Sequence, residues 1–404
     1  GIWVSCGAVF LEDIALSDPF ADIRPYRDDE VPEVLGRLLA DREMLDAIAR
    51  LSLGRLARVL PGLARPAVRW YLGRQLRGVR DVHGMQMVIK HYVEKVIEDT
   101  TAGFSVSGLE QLDVARPWLF MSNHRDIVMD PAFTNYALHR SGHQTVRIAI
   151  GDNLLTKPWV SDLMRLNKSF IVKRSVGSGR ALLAASRHLS NYIRLSLQEE
   201  RSPVWIAQRE GRAKDGIDRT EPAVIKMLAM SRDKQTESFS DLINALGIVP
   251  VSIAYELDPC DGMKAREMYL RSTTGTYAKA EQEDVASIAA GISGQKGRVH
   301  VAFGTPLVGE FDGPDAVAAE IDRQIISLYC LHPTNLQAWQ MLQGPGAAVP
   351  ETLTREAGSC SDAQFRARIE SLPEEQRRFA LATYANAVAG KLALRAATEP
   401  PASC

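Results

Sequence analysis

The sequence predicts an α/β protein with a largely parallel sheet flanked by helices, bordered by helical N- and C-terminal regions. Two observations carry this. Between about Thr101 and Phe303, short apolar runs alternate with helical segments, the pattern of strands joined by crossover helices. Outside that stretch the short runs disappear and apolar residues recur at three- and four-residue spacing.

In chain order, Val31 to about Ile97 reads as an α-helical leader with breaks at Pro61, Gly62 and Pro66. Strands follow at Phe104–Val106, Trp118–Met121, Thr145–Ile150, Phe170–Val172, Val204–Ala207, Val249–Ala254 and Val299–Phe303. The clearest connecting helices are Ala181–Gln198 and Ala223–Met230. After Pro306 the strands stop, and Asp315–Leu331 and Asp362–Leu394 read as helices before a Pro-containing tail, Pro400–Cys404. Three units are expected: residues 1–100, a helical leader with a basic membrane-docking segment; 101–310, the α/β domain; and 311–404, a helical C-terminal region.

With 46% hydrophobic and 24% charged residues the chain can bury a large core. A net charge of −1 lacks the basic excess of a nucleic-acid binder, so no nucleic-acid partner is expected and any cationic function is local. One such locality stands out. Ala47 to Arg80 contains Arg50, Arg55, Arg58, Arg65, Arg69, Arg74, Arg77 and Arg80 and no Asp or Glu, interleaved with Leu, Val, Trp70 and Tyr71. It reads as an amphipathic segment for an anionic membrane surface. The alternative is a helical subdomain packed on the core with its arginines paired to acids elsewhere, and the two are compatible.

Cys6, Cys260, Cys330, Cys360 and Cys404 are odd in number and scattered, which writes neither a disulfide framework nor a CxxC metal site and fits a reducing compartment. No apolar run is long enough to span a bilayer. Gly1 to Leu11 is apolar but has no basic n-region or small-residue cleavage site, so it is not expected to be a signal peptide. The chain opens on Gly rather than Met, and its own N-terminus is expected upstream. The resulting expectation is a cytoplasmic protein held peripherally on the inner face of a membrane.

Active residues in open α/β sheets lie beyond the carboxyl ends of the strands. Four predicted strands lead into informative clusters: Ser122-Asn123-His124-Arg125-Asp126-Ile127-Val128-Met129-Asp130-Pro131; Lys173-Arg174; Gln208-Arg209-Glu210-Gly211-Arg212-Ala213-Lys214-Asp215-Gly216; and Val249-Pro250-Val251. A histidine with a carboxylate partner is what a hydroxyl nucleophile needs, since the imidazole takes the proton and the carboxylate fixes its tautomer. Such a pair alone is a weak signal, and a surface histidine at a helix start is its ordinary alternative. Lys173, Arg174, Arg212 and Lys214, ordinary surface charges singly, together suit a phosphate clamp.

In this order the four clusters resemble the PlsC-like glycerolipid acyltransferases over about Phe104 to Leu307. Asn123-His124 with Asp130-Pro131 is similar to that family's N-H-x4-D block, Ile171-Val172-Lys173-Arg174 to its strand ending in Arg, Glu210-Gly211-Arg212 to its E-G-T-R block, and Ile248-Val249-Pro250-Val251 to its V-P-V block. The flanks Val106-Ser107-Gly108-Leu109 and Val299 to Leu307 look like the family's boundaries. Two departures stand out. Asp130 follows His124 by six residues rather than five, and Asp126 by two. Six helical residues place two side chains roughly 240° apart, so His124 is expected on the loop before the helix, or the turn carries an extra residue. Of the two acids Asp130 is favoured, because Pro131 follows it. The third block lacks the usual Thr and is one residue shorter.

The resemblance implies a fatty acyl transfer from an acyl thioester, acyl-CoA or acyl carrier protein, to a hydroxyl of a glycerol-phosphate or lysophospholipid acceptor. His124 would be the general base, Asp130 its partner, and Lys173, Arg174, Glu210, Gly211, Arg212 and Pro250 would form the substrate site, with no metal and no cofactor. Two other readings stand beside it: a metal-dependent hydrolase using His124, Asp126 and Asp130 as ligands, and a catalytically silent membrane-binding module that keeps the fold.

Overall fold

The computed structural model describes residues 18–53, 61–280, 282–344 and 357–398. Within them, four helices precede the sheet: α1 (Val31–Ala40), α2 (Arg42–Leu53), α3 (Pro61–Gln75) and α4 (Val82–Thr100). Their apolar stripes meet in a core built from Val34, Leu35 and Leu38, Met44 and Leu45, Ala64 and Val68, and Met85. Each such fully buried large side chain contributes about 1.5–3 kcal/mol. Asp81 caps α4 by accepting the Gly84 N–H at 2.7 Å. Pro66, expected to break the helix, lies inside α3 instead. Its ring is compatible with helical φ, and the burial of Ala64 and Val68 outweighs the one backbone bond it removes.

Leu63, Trp70 and Tyr71 of α3 are exposed, with Arg74 against the Trp70 ring. Arg65 is paired with Asp46 at 2.7 Å. Arg55 and Arg58 lie outside the described residues. Among the described residues no helix is long and apolar enough to cross a membrane.

Seven strands form one sheet: β1 (Thr101–Ser107), β2 (Leu119–Ser122), β3 (Arg147–Gly151), β4 (Ser169–Val172), β5 (Val204–Ala207), β6 (Ile248–Tyr255) and β7 (Gly297–Phe303), in the order β1-β7-β6-β2-β5-β3-β4. All seven fall where the apolar runs predict them. The sheet is parallel except at β6 and β7, which pair antiparallel with Val251 opposite Phe303. β1 and β7 therefore run together against the other five.

Alternation along the strands separates two cores. Leu119, Met121, Val204, Ile206 and Ile248 pack with α7 (Arg180–Gln198), α8 (Pro222–Leu228), α9 (Phe239–Leu246) and α12 (Pro314–Leu328). Phe120, Trp205, Val249, Val251 and Ile253 face the other way, onto α5 (Met129–Arg140). Between β3 and β4 lies α6 (Pro158–Leu166); α10 (Asp261–Thr274) and α11 (Glu283–Ser293) connect β6 to β7.

Beyond the sheet come α13 (Pro333–Gln343), α14 (Asp362–Glu370) and α15 (Glu374–Thr398). The single helix expected over Asp362–Leu394 is thus two, parted at Ser371-Leu372-Pro373, where proline cannot continue the backbone bonding of α14. Ser361 opens α14 with a capping box to Gln364. The three helices share a core with α10, in which Ala265 packs among Ala338, Phe365, Ile369, Leu381 and Tyr384. The C-terminal helices are therefore built into the α/β body.

Candidate active site

β2 ends at Ser122 and α5 begins at Met129, so His124 lies in the connecting loop, as the six-residue spacing requires. The extra residue is absorbed there. Asp130, fully buried in the first turn of α5, reaches back, and its Oδ2 accepts His124 Nδ1–H at 2.9 Å, Arg125 N–H at 2.6 Å and Asp126 N–H at 2.9 Å. Its Oδ1 accepts the Tyr255 hydroxyl at 2.7 Å. Burial, followed by the charges of Asp130 and Asp126, holds the Tyr255 phenol well above its ordinary pKa and keeps it a donor. With Nδ1 donating to the carboxylate, Nε2 of His124 carries the basic lone pair. Trp205 meets the imidazole edge-on at 5.8 Å between centroids.

Asp126 has a different task. Its Oδ1 accepts the Val128 and Met129 N–H groups at 3.0 and 2.9 Å, capping α5. Burial, then the charge of Asp130, raises its carboxyl above the usual range. Gly291 of α11 leaves room for it, since a side chain there would overlap the carboxylate. Both carboxylates spend acceptor positions on the loop itself, which counts against reading His124, Asp126 and Asp130 as metal ligands. Among the described residues no cluster of His, Cys, Asp or Glu is arranged to hold a metal ion.

A buried polar network supports the loop from behind. Asn123 bridges to β6 as a strand residue would, accepting from Ile253 N at 2.8 Å and donating to Ile253 O at 3.1 Å. Arg125 pairs with Asp218 at 2.7 Å and lies over the Tyr329 ring. The Arg125 carbonyl accepts from Lys264 Nζ at 2.7 Å, which also pairs with Asp258. Removing one member of a buried pair of this kind typically costs 3–5 kcal/mol, because the partner is left uncompensated.

His124 opens into a cleft of about 1020 Å³ that crosses the carboxyl ends of β3, β4 and β5. One wall is apolar on the α4 and α6 side, with Tyr92, Val96 and Met164; another, on the α7 and α8 side, has Leu182, Leu189 and Met227. Arg174, Arg209 and Arg212 line the same cleft. Arg174 lies across Gly151, where a Cβ would come within 3.0 Å of the guanidinium, and pairs with Glu210 at 3.3 Å. Arg212 donates to Ser287 Oγ at 3.3 Å, and its buried Nη1 has no protein partner. Gly211 sits at φ +71°, the conformation that turns the chain between Glu210 and Arg212.

The other sequence candidates divide. Lys173 lines the cleft but is paired with Asp22, and Lys214 with Glu267, so neither is a free cation. Pro250 is buried inside β6 and is not among the lining residues; its carbonyl accepts Gly304 N–H at 2.8 Å. Its place in the pattern reflects the sheet core. Three lining or supporting residues escape the sequence reading. Arg209 is adjacent to Glu210 and could have been weighed as a cation, but nothing local marks the Tyr255 hydroxyl or the Trp205 edge as neighbours of His124.

Residues 103–253 match the family described as Acyltransferase. No curated protein matches the chain. Among solved structures, the 1-acyl-sn-glycerophosphate (LPA) acyltransferase PlsC from Thermotoga maritima is similar at 14% identity, covering 70% of this chain and 93% of that one with a TM-score of 0.33.

Proposed function

Because residues 103–253 match the family described as Acyltransferase, we propose that the chain moves a fatty acyl group from a thioester to a hydroxyl of a phosphate-bearing glycerol or lysophospholipid acceptor. The observation that supports it best is the His124–Asp130 pair opening into a cleft that also holds Arg174, Arg209 and Arg212 between apolar walls.

His124 Nε2 takes the proton of the acceptor hydroxyl as its oxygen attacks the thioester carbonyl carbon. Asp130, holding Nδ1–H, stabilises the imidazolium that forms. The tetrahedral oxyanion then collapses, the carbon–sulfur bond breaks, and the departing thiolate receives the proton from His124. No acyl-enzyme is needed, because a thiolate leaves readily and the demanding step is making the nucleophile. The phosphate is held by Arg174 and Arg212, whose planar forks suit bidentate binding. The apolar walls take the acyl chain. A site on one face of the chain for a lipid-soluble substrate fits peripheral docking by α3, through Leu63, Trp70 and Tyr71 with Arg69 and Arg74, on an anionic surface.

An acceptor panel tests the reading: purified protein with acyl-CoA or acyl carrier protein as donor, offered glycerol-3-phosphate, lysophosphatidic acid and a neutral lysolipid, with products read by mass spectrometry. A new ester on phosphate-bearing acceptors is expected. Equal use of the neutral lysolipid removes the arginine assignment, and transfer to none of them leaves the silent membrane-binding module. Docking is checked by co-sedimentation with vesicles, which should rise with anionic lipid and fall with salt, at about 1 kcal/mol per basic residue engaged.

A further inference from the structure

The loop between β5 and α8 carries Glu210, Gly211 and Arg212 into the cleft, and what holds its second half comes from the far end of the chain. Thr383 of α15 donates its hydroxyl to the Lys214 carbonyl at 2.8 Å. One turn on, Asn386 donates its carboxamide N–H to the Asp215 carbonyl at 2.8 Å. Gly216 then passes so close to the Thr383 carbonyl, at φ +76°, that any Cβ would overlap it. Immediately before these residues, Ala213 N–H donates to the carbonyl of His124 at 2.8 Å. Immediately after them, the Gly216 carbonyl accepts from Arg125, which also pairs with Asp218.

The loop is thus fastened on one side to the histidine's own backbone and on the other to α15, a helix outside the stretch that matches the acyltransferase family. The sequence Arg212-Ala213-Lys214-Asp215-Gly216 is where the third block departs from its family pattern. Ala213 is small and buried, and Gly216 is the residue that lets the loop touch α15.

We infer that α15 is a clamp on the acceptor-binding loop, with Thr383 and Asn386 as positioning residues that set Arg212 relative to His124. The inference rests on the functional reading above for its kinetic consequence, and on geometry alone for the clamp itself. A loop with little regular structure of its own opens locally at low cost, and a displacement of about 1 Å at a binding group is enough to cost a hundredfold in positioning.

The test is the Thr383→Val/Asn386→Ala double variant of the full chain, with amide hydrogen exchange and steady-state kinetics on one preparation. Each lost hydrogen bond corresponds to roughly a fivefold change, so exchange at Ala213 and Ile217 should quicken by about tenfold or more while the sheet amides keep their rates. The acceptor KM should rise by about tenfold with the donor KM within about twofold, and Thr383→Ser should restore both. Should the double variant not fold, Asn386→Ala alone, at a half-buried position, gives the same readouts at smaller amplitude. Unchanged exchange in the 209–218 loop overturns the clamp. So does a uniform loss in which exchange rises everywhere and both KM values move together. A wild type inactive with every phosphate-bearing acceptor sinks the functional reading instead, and the exchange rates then decide the clamp without it.

Discussion

The two loops that form the polar part of the cleft are built on opposite plans. The loop from Ser122 to Asp130 closes on itself around the histidine: Asp130 gathers the His124 side chain and the Arg125 and Asp126 backbone, and Asp126 caps the helix that carries Asp130, while Ile253, Asp218 and Lys264 brace it from behind. The loop from Gln208 to Asp218 has few bonds of its own and borrows its fixity from His124, Arg125, Thr383 and Asn386. In the proposed mechanism the first loop performs the proton transfer, which tolerates little error in geometry. The second grips a ligand, and its placement can be altered from a distance without touching the base. A self-closed loop should fail abruptly when one of its own residues changes, and a borrowed one by degrees.

The largest effect expected is at the base. His124→Ala should lower turnover at least about a hundredfold, the scale of a lost general base, with an unchanged melting temperature. Near-normal turnover in the folded variant would break the mechanism. Next comes the division between the two acids. Asp130→Asn removes the charge facing the imidazole and should cost at least about tenfold more activity than Asp126→Asn, which keeps an oxygen to cap α5.

Asp126→Asn also carries a pH signature. The Asp126 carboxyl is raised in the fold by burial and by Asp130, so its ionised form is disfavoured in the native state. That penalty is present above the unfolded value of about 4 and vanishes below it. Asp126→Asn should therefore be at least as stable as wild type at neutral pH, with the advantage fading in acid. Thermal melts at two pH values check this, and a destabilised Asp126→Asn at neutral pH would reverse the roles given to the two carboxylates.

The ligand-gripping arginines are expected to give smaller losses. Arg174→Ala or Arg212→Ala should reduce kcat/KM for the acceptor by about 2 kcal/mol, some thirtyfold, as for a charged hydrogen bond lost, and leave the donor KM nearly unchanged. Arg174→Lys should recover only part, because a point charge cannot reproduce the fork. An effect confined to the donor would reassign the arginines to the donor's own phosphates.

The smallest effect sharpens the comparison most. Tyr255→Phe removes the one donor on Asp130 Oδ1 and leaves the three on Oδ2, so turnover should fall only a few-fold, about 1 kcal/mol. Turnover and the melting temperature of the same preparation check this: wild-type turnover in a folded Tyr255→Phe would mean that Tyr255 only packs there.

The same contrast governs what could be read from the residues in order. Strand positions follow from runs of apolar side chains, which answer to a two-residue period that neighbours alone determine, and all seven appear where the runs place them. The His124–Asp130 pair was legible because its partners are six residues apart and the helix start lies between them. Pro66 and the break at Pro373 show the limit of the same local signals: one proline is overridden by the burial of Ala64 and Val68, and the other is not.

By itself, then, the sequence determined the strand order along the chain, the pairing of His124 with Asp130, and the cationic character of the blocks that follow β4 and β5. Only the tertiary structure decided how those cations are partnered: Lys173, Lys214 and Arg174 are paired with Asp22, Glu267 and Glu210, Arg174 at the longer distance of 3.3 Å, while Arg212 keeps a buried Nη1 without a protein partner. It alone brought Tyr255 to Asp130 and α15 to Gly216, across 125 residues in the first case. The physical reason is that caps and periodicities are energies between neighbours in the chain. A hydroxyl meeting a carboxylate, or a helix meeting a glycine, is a consequence of how whole layers pack.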